Sequence, residues 1–288
     1  MTQDLQHDDD HDRGLAFDLS TLVHRRQALK FLAGMSVVTV AAACGANGSS
    51  DASSSTSSST SSTSSSSSAG GSSSTSSAAA AGTTPIPEET GGPYPGDGTN
   101  GPNVLTESGI VRSDIRTSFG DASGTAAGVP ITIDLTVLDS ATGGALNGAA
   151  VYVWHCDQEG RYSMYTQGAA DQNYLRGVQE ADNSGRVEFT SIFPAAYSGR
   201  WPHIHFEVYP SLSEATSAGS PITTSQLALP QDTCEAVYAT DGYRASVRNL
   251  SQTSLDTDMV FRDGYSQQLA TVTGNVDDGY TVALNVPV

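Results

Sequence analysis

Apolar and polar side chains alternate over residues 131–138, with Ile131, Ile133, Leu135 and Val137 on one side and Thr132, Asp134 and Thr136 on the other. That two-residue period predicts a strand with one buried face. Residues 151–156, 186–192 and 203–209 are further β-rich runs, bounded by turn residues such as Asp182-Asn183-Ser184-Gly185. Near the end, residues 269–273 and 280–286 flank Gly274-Asn275-Val276-Asp277-Asp278-Gly279 and read as a hairpin. Only residues 232–239 and 243–250 carry short helical patterns. Several strands, frequent turns and few helices predict an all-β domain, an antiparallel β-sandwich with a few short helices.

The pattern fails upstream. Residues 49–80 are almost wholly Ser, Thr, Ala and Gly, which cannot bury enough apolar surface to offset the entropy of ordering them. A disordered linker is therefore expected over residues 45–83, leaving one domain of about 200 residues over 84–288. Before the linker, Arg25-Arg26-Gln27-Ala28-Leu29-Lys30 precedes an uncharged, modestly apolar stretch that is too short to span a bilayer as a helix. Paired arginines ahead of a short apolar core resemble a twin-arginine export signal, expected over residues 1–44. The core ends Ala41-Ala42-Ala43-Cys44, which fits both a small-residue cleavage site and a lipoprotein box with Cys44 as the lipidated residue. The two outcomes are an extracellular protein and one anchored to the outer face of the cell membrane. In the second, the Ser-rich run is a stalk with a root-mean-square span of roughly 30 Å.

Charge narrows the partners. The chain has 13 Lys and Arg against 31 Asp and Glu, and residues 84–288 carry nine arginines, no lysine and 24 acidic residues. Such a surface repels phosphate backbones, so nucleic acid is excluded as a partner, and anionic lipid surfaces are disfavoured. Beyond Cys44 the domain has two cysteines, Cys156 and Cys234, and an even pair in an oxidising compartment is expected to form a disulfide.

The candidate chemistry lies in residues 151–208. His203-Ile204-His205 sits in a predicted strand, where side chains two apart share a face and two imidazoles can reach one metal ion. Two tyrosines stand where the backbone must turn: Tyr162, after Cys156-Asp157-Gln158-Glu159-Gly160-Arg161, and Tyr197, after Phe193-Pro194-Ala195-Ala196. Either alone reads as a packed aromatic with a satisfied hydroxyl.

Taken together, these pieces resemble the intradiol ring-cleavage dioxygenases, the family of catechol 1,2-dioxygenase and protocatechuate 3,4-dioxygenase, and especially its short exported bacterial members. The matching segments are Thr90-Gly91-Gly92-Pro93-Tyr94, Val151-Tyr152-Val153-Trp154-His155-Cys156-Asp157 running into Gly160-Arg161-Tyr162, and Tyr197-Ser198-Gly199-Arg200-Trp201-Pro202-His203-Ile204-His205. The resemblance implies that Tyr162, Tyr197, His203 and His205 bind a non-haem Fe(III) ion. It also implies that Tyr197 leaves the metal as a base when substrate arrives, that Arg200 stabilises anionic character on the ring, and that Gln226 touches substrate and oxygen. A hard trivalent cation suits anionic oxygen donors and can deprotonate phenols whose ordinary pKa is near 10. The implied reaction joins O₂ to an aromatic diol and opens the ring between the two hydroxyl-bearing carbons, giving a cis,cis-muconate-type diacid. Only six positions separate Tyr197 from His203, and a stalk stands where larger relatives have a helical dimerisation domain, so neither the particular diol nor the oligomeric state follows from the resemblance.

Two other readings compete. His155, His203 and His205 could form a three-histidine site for zinc or another divalent ion, or the domain could be a non-enzymatic exported β-sandwich used for binding.

Overall fold

A computed structural model describes residues 83–217 and 219–288. The export segment, Cys44 and, apart from Thr83, the Ser-rich linker lie outside the described residues. The described residues form eight strands in two four-stranded sheets. One sheet has the order β4-β1-β8-β7, built from β1 (Pro130–Leu138), β4 (Arg186–Ile192), β7 (Thr271–Asn275) and β8 (Gly279–Pro287). The other has the order β3-β2-β5-β6, built from β2 (Ala150–Trp154), β3 (Arg176–Glu180), β5 (His203–Tyr209) and β6 (Thr223–Ala228). The described residues also form three short helices, α1 (Leu212–Thr216), α2 (Gln231–Tyr238) and α3 (Arg244–Leu250), and a 3₁₀ turn at Phe261–Asp263.

The alternation in β1 is the one the sequence predicts: Ile131, Ile133, Leu135 and Val137 are buried and the residues between them are more exposed. They meet Val151, Val153, Ile204, Phe206 and Val208 of the second sheet to form the sandwich core. Pairing is antiparallel throughout, except that β1 and β8 run parallel, Ile133 beside Val282. The first sheet is thus mixed, with β8 lying between β1 and β7, and the second is antiparallel.

The second sheet positions the chemistry. Its strands are buried on both faces, β2 and β5 along their whole length. Ile204, Phe206 and Val208 point into the sandwich, so His203, His205, Glu207 and Tyr209 must face the other way. That outer face is roofed by residues 89–110 and by the 157–175 loop, where Val104, Leu105, Ile110 and Tyr162 pack on Tyr152, Trp154 and Tyr209. A polar face of a sheet thereby becomes an interior.

The disulfide expected between Cys156 and Cys234 is not formed: both thiols are free and buried. They belong to different packing units. Cys156 lies with the outer-face cluster and its Sγ is 3.6 Å from the Ala195 carbonyl oxygen, whereas Cys234 sits on α2 in the sandwich core. Among the described residues no helix is long and apolar enough to cross a membrane.

Candidate metal centre

Four rings converge on the outer face. His203 and His205 project from alternate positions of β5, and their Nε2 atoms are 3.0 Å apart. Tyr197 Oη lies 3.1 Å from His203 Nε2. The Tyr162 ring stands edge-on to both Tyr197 and His205, with centroids 6.0 and 6.2 Å away.

Each donor is held from outside the group. His203 Nδ1–H donates to the Trp201 carbonyl oxygen at 2.6 Å, so in the neutral imidazole Nε2 keeps its lone pair toward the centre. His205 is stacked on Trp154, its cross-strand partner, at 4.9 Å and 6°. Tyr162 is delivered by a turn that Asp157 organises: one carboxylate oxygen accepts from the amides of Glu159 and Arg161, the other from Arg161 Nε and the Tyr174 hydroxyl. Gly160 sits in that turn at φ 84°, and a Cβ there would come within 3.3 Å of Tyr197 Cβ, so both the turn and the approach of the two tyrosine segments favour glycine. Tyr197 follows Ala196, whose amide donates to Ser246 Oγ of α3 and whose carbonyl accepts from Asn249 Nδ2. Helix α3 thus sets the position of the second tyrosine.

The buried arginine of the motif completes the site. Arg200 is 1% exposed; its Nε donates to Asp258 Oδ2 at 3.0 Å and its Nη2 to Gln226 Oε1 at 2.6 Å. Gln226 pairs with His205 across β5 and β6, and its Nε2 donates to the Thr90 carbonyl oxygen at 2.8 Å. Thr90 and Arg200, from motifs far apart in the chain, meet through this glutamine.

Electrostatics fit a cation. Burial, and after it the neighbouring Tyr197, push the Tyr162 phenol well above its ordinary range. Burial and then the charge of Arg200 bring His203 down to about 3, and burial with His203 puts His205 well below its usual value. Both imidazoles are therefore neutral and able to ligate, while the phenols need a strong positive charge to ionise. The Tyr162 hydroxyl is buried with no hydrogen-bond partner, an orphan of the kind a metal–oxygen bond would satisfy. Two phenol oxygens and two imidazole nitrogens are a donor set suited to a hard, highly charged ion.

The structure brings together every expected site residue of the dioxygenase reading: Tyr162, Tyr197, Arg200, His203, His205 and Gln226. It separates His155 from the other histidines. Its ring is engaged at both nitrogens, 2.7 Å from the Cys156 carbonyl oxygen and 2.7 Å from Ser191 Oγ of β4, which places it between the sheets. The three-histidine site is thus not formed, and among the described residues no group of three or more His, Cys, Asp or Glu is arranged to hold a metal ion. Sequence reading missed Asp258, which lies in the acidic, turn-rich run Asp256-Thr257-Asp258 with no pattern to single it out.

Residues 100–233 match a protein-family model described as Dioxygenase. The fold is that of solved intradiol ring-cleavage dioxygenases. The intradiol ring-cleavage dioxygenase of Tetranychus urticae superposes with a TM-score of 0.53 at 23% identity, covering 63% of this chain and 87% of that one. Another dioxygenase structure gives a TM-score of 0.56 at 22% identity over 71% of this chain and 94% of its own. These likenesses are of fold. In sequence, 56 residues are 38% identical to chlorocatechol 1,2-dioxygenase of Rhodococcus opacus, a match spanning 19% of this chain and 22% of the relative's length.

Proposed function

We propose that this intradiol-type domain is a non-haem Fe(III) dioxygenase that cleaves a catechol-type ring between its two hydroxyl-bearing carbons with O₂, giving a cis,cis-muconate-type diacid. The carrying observation is the convergence of Tyr162, Tyr197, His203 and His205, with the buried Tyr162 hydroxyl left without a partner. Those four residues would hold the ferric ion, which when bound supplies Lewis acidity and a template on which diol and O₂ meet.

The chain's own residues divide the remaining work. Tyr162 is buried and Tyr197 only partly so, which suits Tyr162 to a permanent role and Tyr197 to one that changes with substrate. Once ionised beside the ion, Tyr197 Oη would accept one proton from an incoming diol hydroxyl, leaving a neutral phenol and a singly deprotonated diol. Arg200 stands at the site as a fixed cation, braced by Asp258 and Gln226, and offsets negative charge building on the ring. The roof of residues 89–110 keeps bulk water from the buried donors. Export through the Arg25-Arg26 segment, with cleavage or lipidation at Cys44, belongs to the same proposal and rests on sequence alone.

The test is to purify the protein, assay iron, record the visible spectrum and add catechol without oxygen. A phenolate-to-iron band that shifts on adding the diol, followed by a muconate-type product on admitting O₂, is the expected result. A protein that stays colourless and iron-free after ferric reconstitution would overturn the reading.

A further inference from the structure

Arg200 and Asp258 form a fully buried ion pair, 1% and 0% exposed at their side chains, 58 positions apart in the chain. Charges so buried are costly unless every lone pair and proton is used, and here the carboxylate is used completely. Asp258 Oδ2 accepts from Arg200 Nε at 3.0 Å and from the Trp201 amide at 2.7 Å. Its Oδ1 accepts from the amides of Val260 and Phe261 at 2.8 and 3.3 Å. The segment at the head of the 3₁₀ turn therefore grips both the guanidinium and the backbone that leads, two residues on, into His203.

We propose that Asp258 is a positioning residue of the ring-cleavage reaction, holding the Arg200 guanidinium at Nε while Gln226 holds it at Nη2, so that its charge bears on the bound diol. This role rests on the reading of the site as an intradiol centre. Three physical points lead to it. A guanidinium has a rigid fork, so acceptors on two of its nitrogens set its orientation, and Asp258 and Gln226 supply them. A lone arginine charge inside a closed site is expensive, and the carboxylate offsets that cost without reaching the metal donors itself. The same oxygen that takes Nε also takes the Trp201 amide, so the arginine cannot turn without disturbing the entry to β5. Neither face of the carboxylate can become a donor without a clash: an asparagine would direct its NH₂ at N–H groups on one side or the other.

The experiment is a double-substitution cycle on the full chain after the wild-type band has been recorded. Asp258→Asn is expected to keep iron and the resting tyrosinate band, to lower kcat about a hundredfold, the scale for losing one preorganised electrostatic group, and to change KM far less. Asp258→Glu, which restores the charge, recovers part of the lost kcat. In an Arg200→Gln background, adding Asp258→Asn costs less than about twofold, because the residue acts through the arginine. If Asp258→Asn does not fold, Arg200→Gln compared with the double variant, which buries no unpaired charge, decides the matter. Overturning results are an Asp258→Asn enzyme with wild-type kcat, or a full extra hundredfold loss in the Arg200→Gln background. A wild-type protein without the band would defeat the ferric centre itself, and the role of Asp258 with it, which is distinguishable from a coloured enzyme indifferent to Asp258→Asn.

Discussion

At the scale of residues, the two tyrosines make the sharpest claims. Tyr162→Phe removes one oxygen from a site where it has no other partner, so the prediction is loss of most bound iron and of colour, with little change in thermal stability of the iron-free protein. Iron content per chain and a melting curve check both halves. Equal iron in wild type and variant would mean that Tyr162 is only a packed aromatic. The four candidate donors, Tyr162, Tyr197, His203 and His205, were legible because they lie in motifs that resemble a known family, and the structure brings their rings together. What escaped was chemistry without a local signature: Asp258 is one acid among several in a polar run, and only the fold shows that it meets Arg200. The cysteine pairing failed for the matching reason. Even parity says nothing about distance, and Cys156 and Cys234 stand in different clusters.

At the scale of elements, β1, β2, β4, β5 and the β7–β8 hairpin were readable from period and turn signals, and α2 and α3 began within a residue of where the sequence placed them. Strands β3 and β6 were not. Arg176-Gly177-Val178-Gln179-Glu180 carries no clean alternation because its outer face is also buried, and Arg176 spends its guanidinium on the Tyr94, Pro95 and Ser163 carbonyl oxygens. A polar residue in a covered face erases the pattern that marks a half-exposed strand. The link between the sheets makes a prediction in pH. His155 bridges the end of β2 to β4, and burial lowers its pKa to about 4, against the opposing pull of its bond to Cys156 and of Asp157, with Arg176 adding to the lowering. In the unfolded chain the ring takes a proton below about 6.5. Stability from this residue is complete above that value and is lost as pH falls from 6.5 toward 4, by about 3 kcal/mol if no other group compensates. Denaturant unfolding of wild type and His155→Gln between pH 7 and 5 reads it: the variant is less stable at pH 7 but loses stability less steeply on acidification, and parallel slopes would refute the assignment.

Across the whole molecule, charge and roof act together. Residues 84–288 carry nine arginines against 24 acidic residues, so the domain's field opposes an approaching anion, while Arg200 waits inside. Screening should therefore help a carboxylate-bearing diol and leave a neutral one alone. Raising ionic strength from about 0.01 to 0.15 M, which shortens the Debye length from about 30 to 8 Å, is expected to raise kcat/KM for protocatechuate several-fold and to leave catechol unchanged; equal responses would mean that long-range charge plays no part in substrate entry. The most direct test of the central claim is resonance Raman spectroscopy of the ferric protein with excitation in its visible band. Ring modes of two coordinated tyrosinates should be enhanced, and one set should vanish in Tyr162→Phe. Ferric iron bound at one per chain with no enhanced tyrosinate mode would contradict the account.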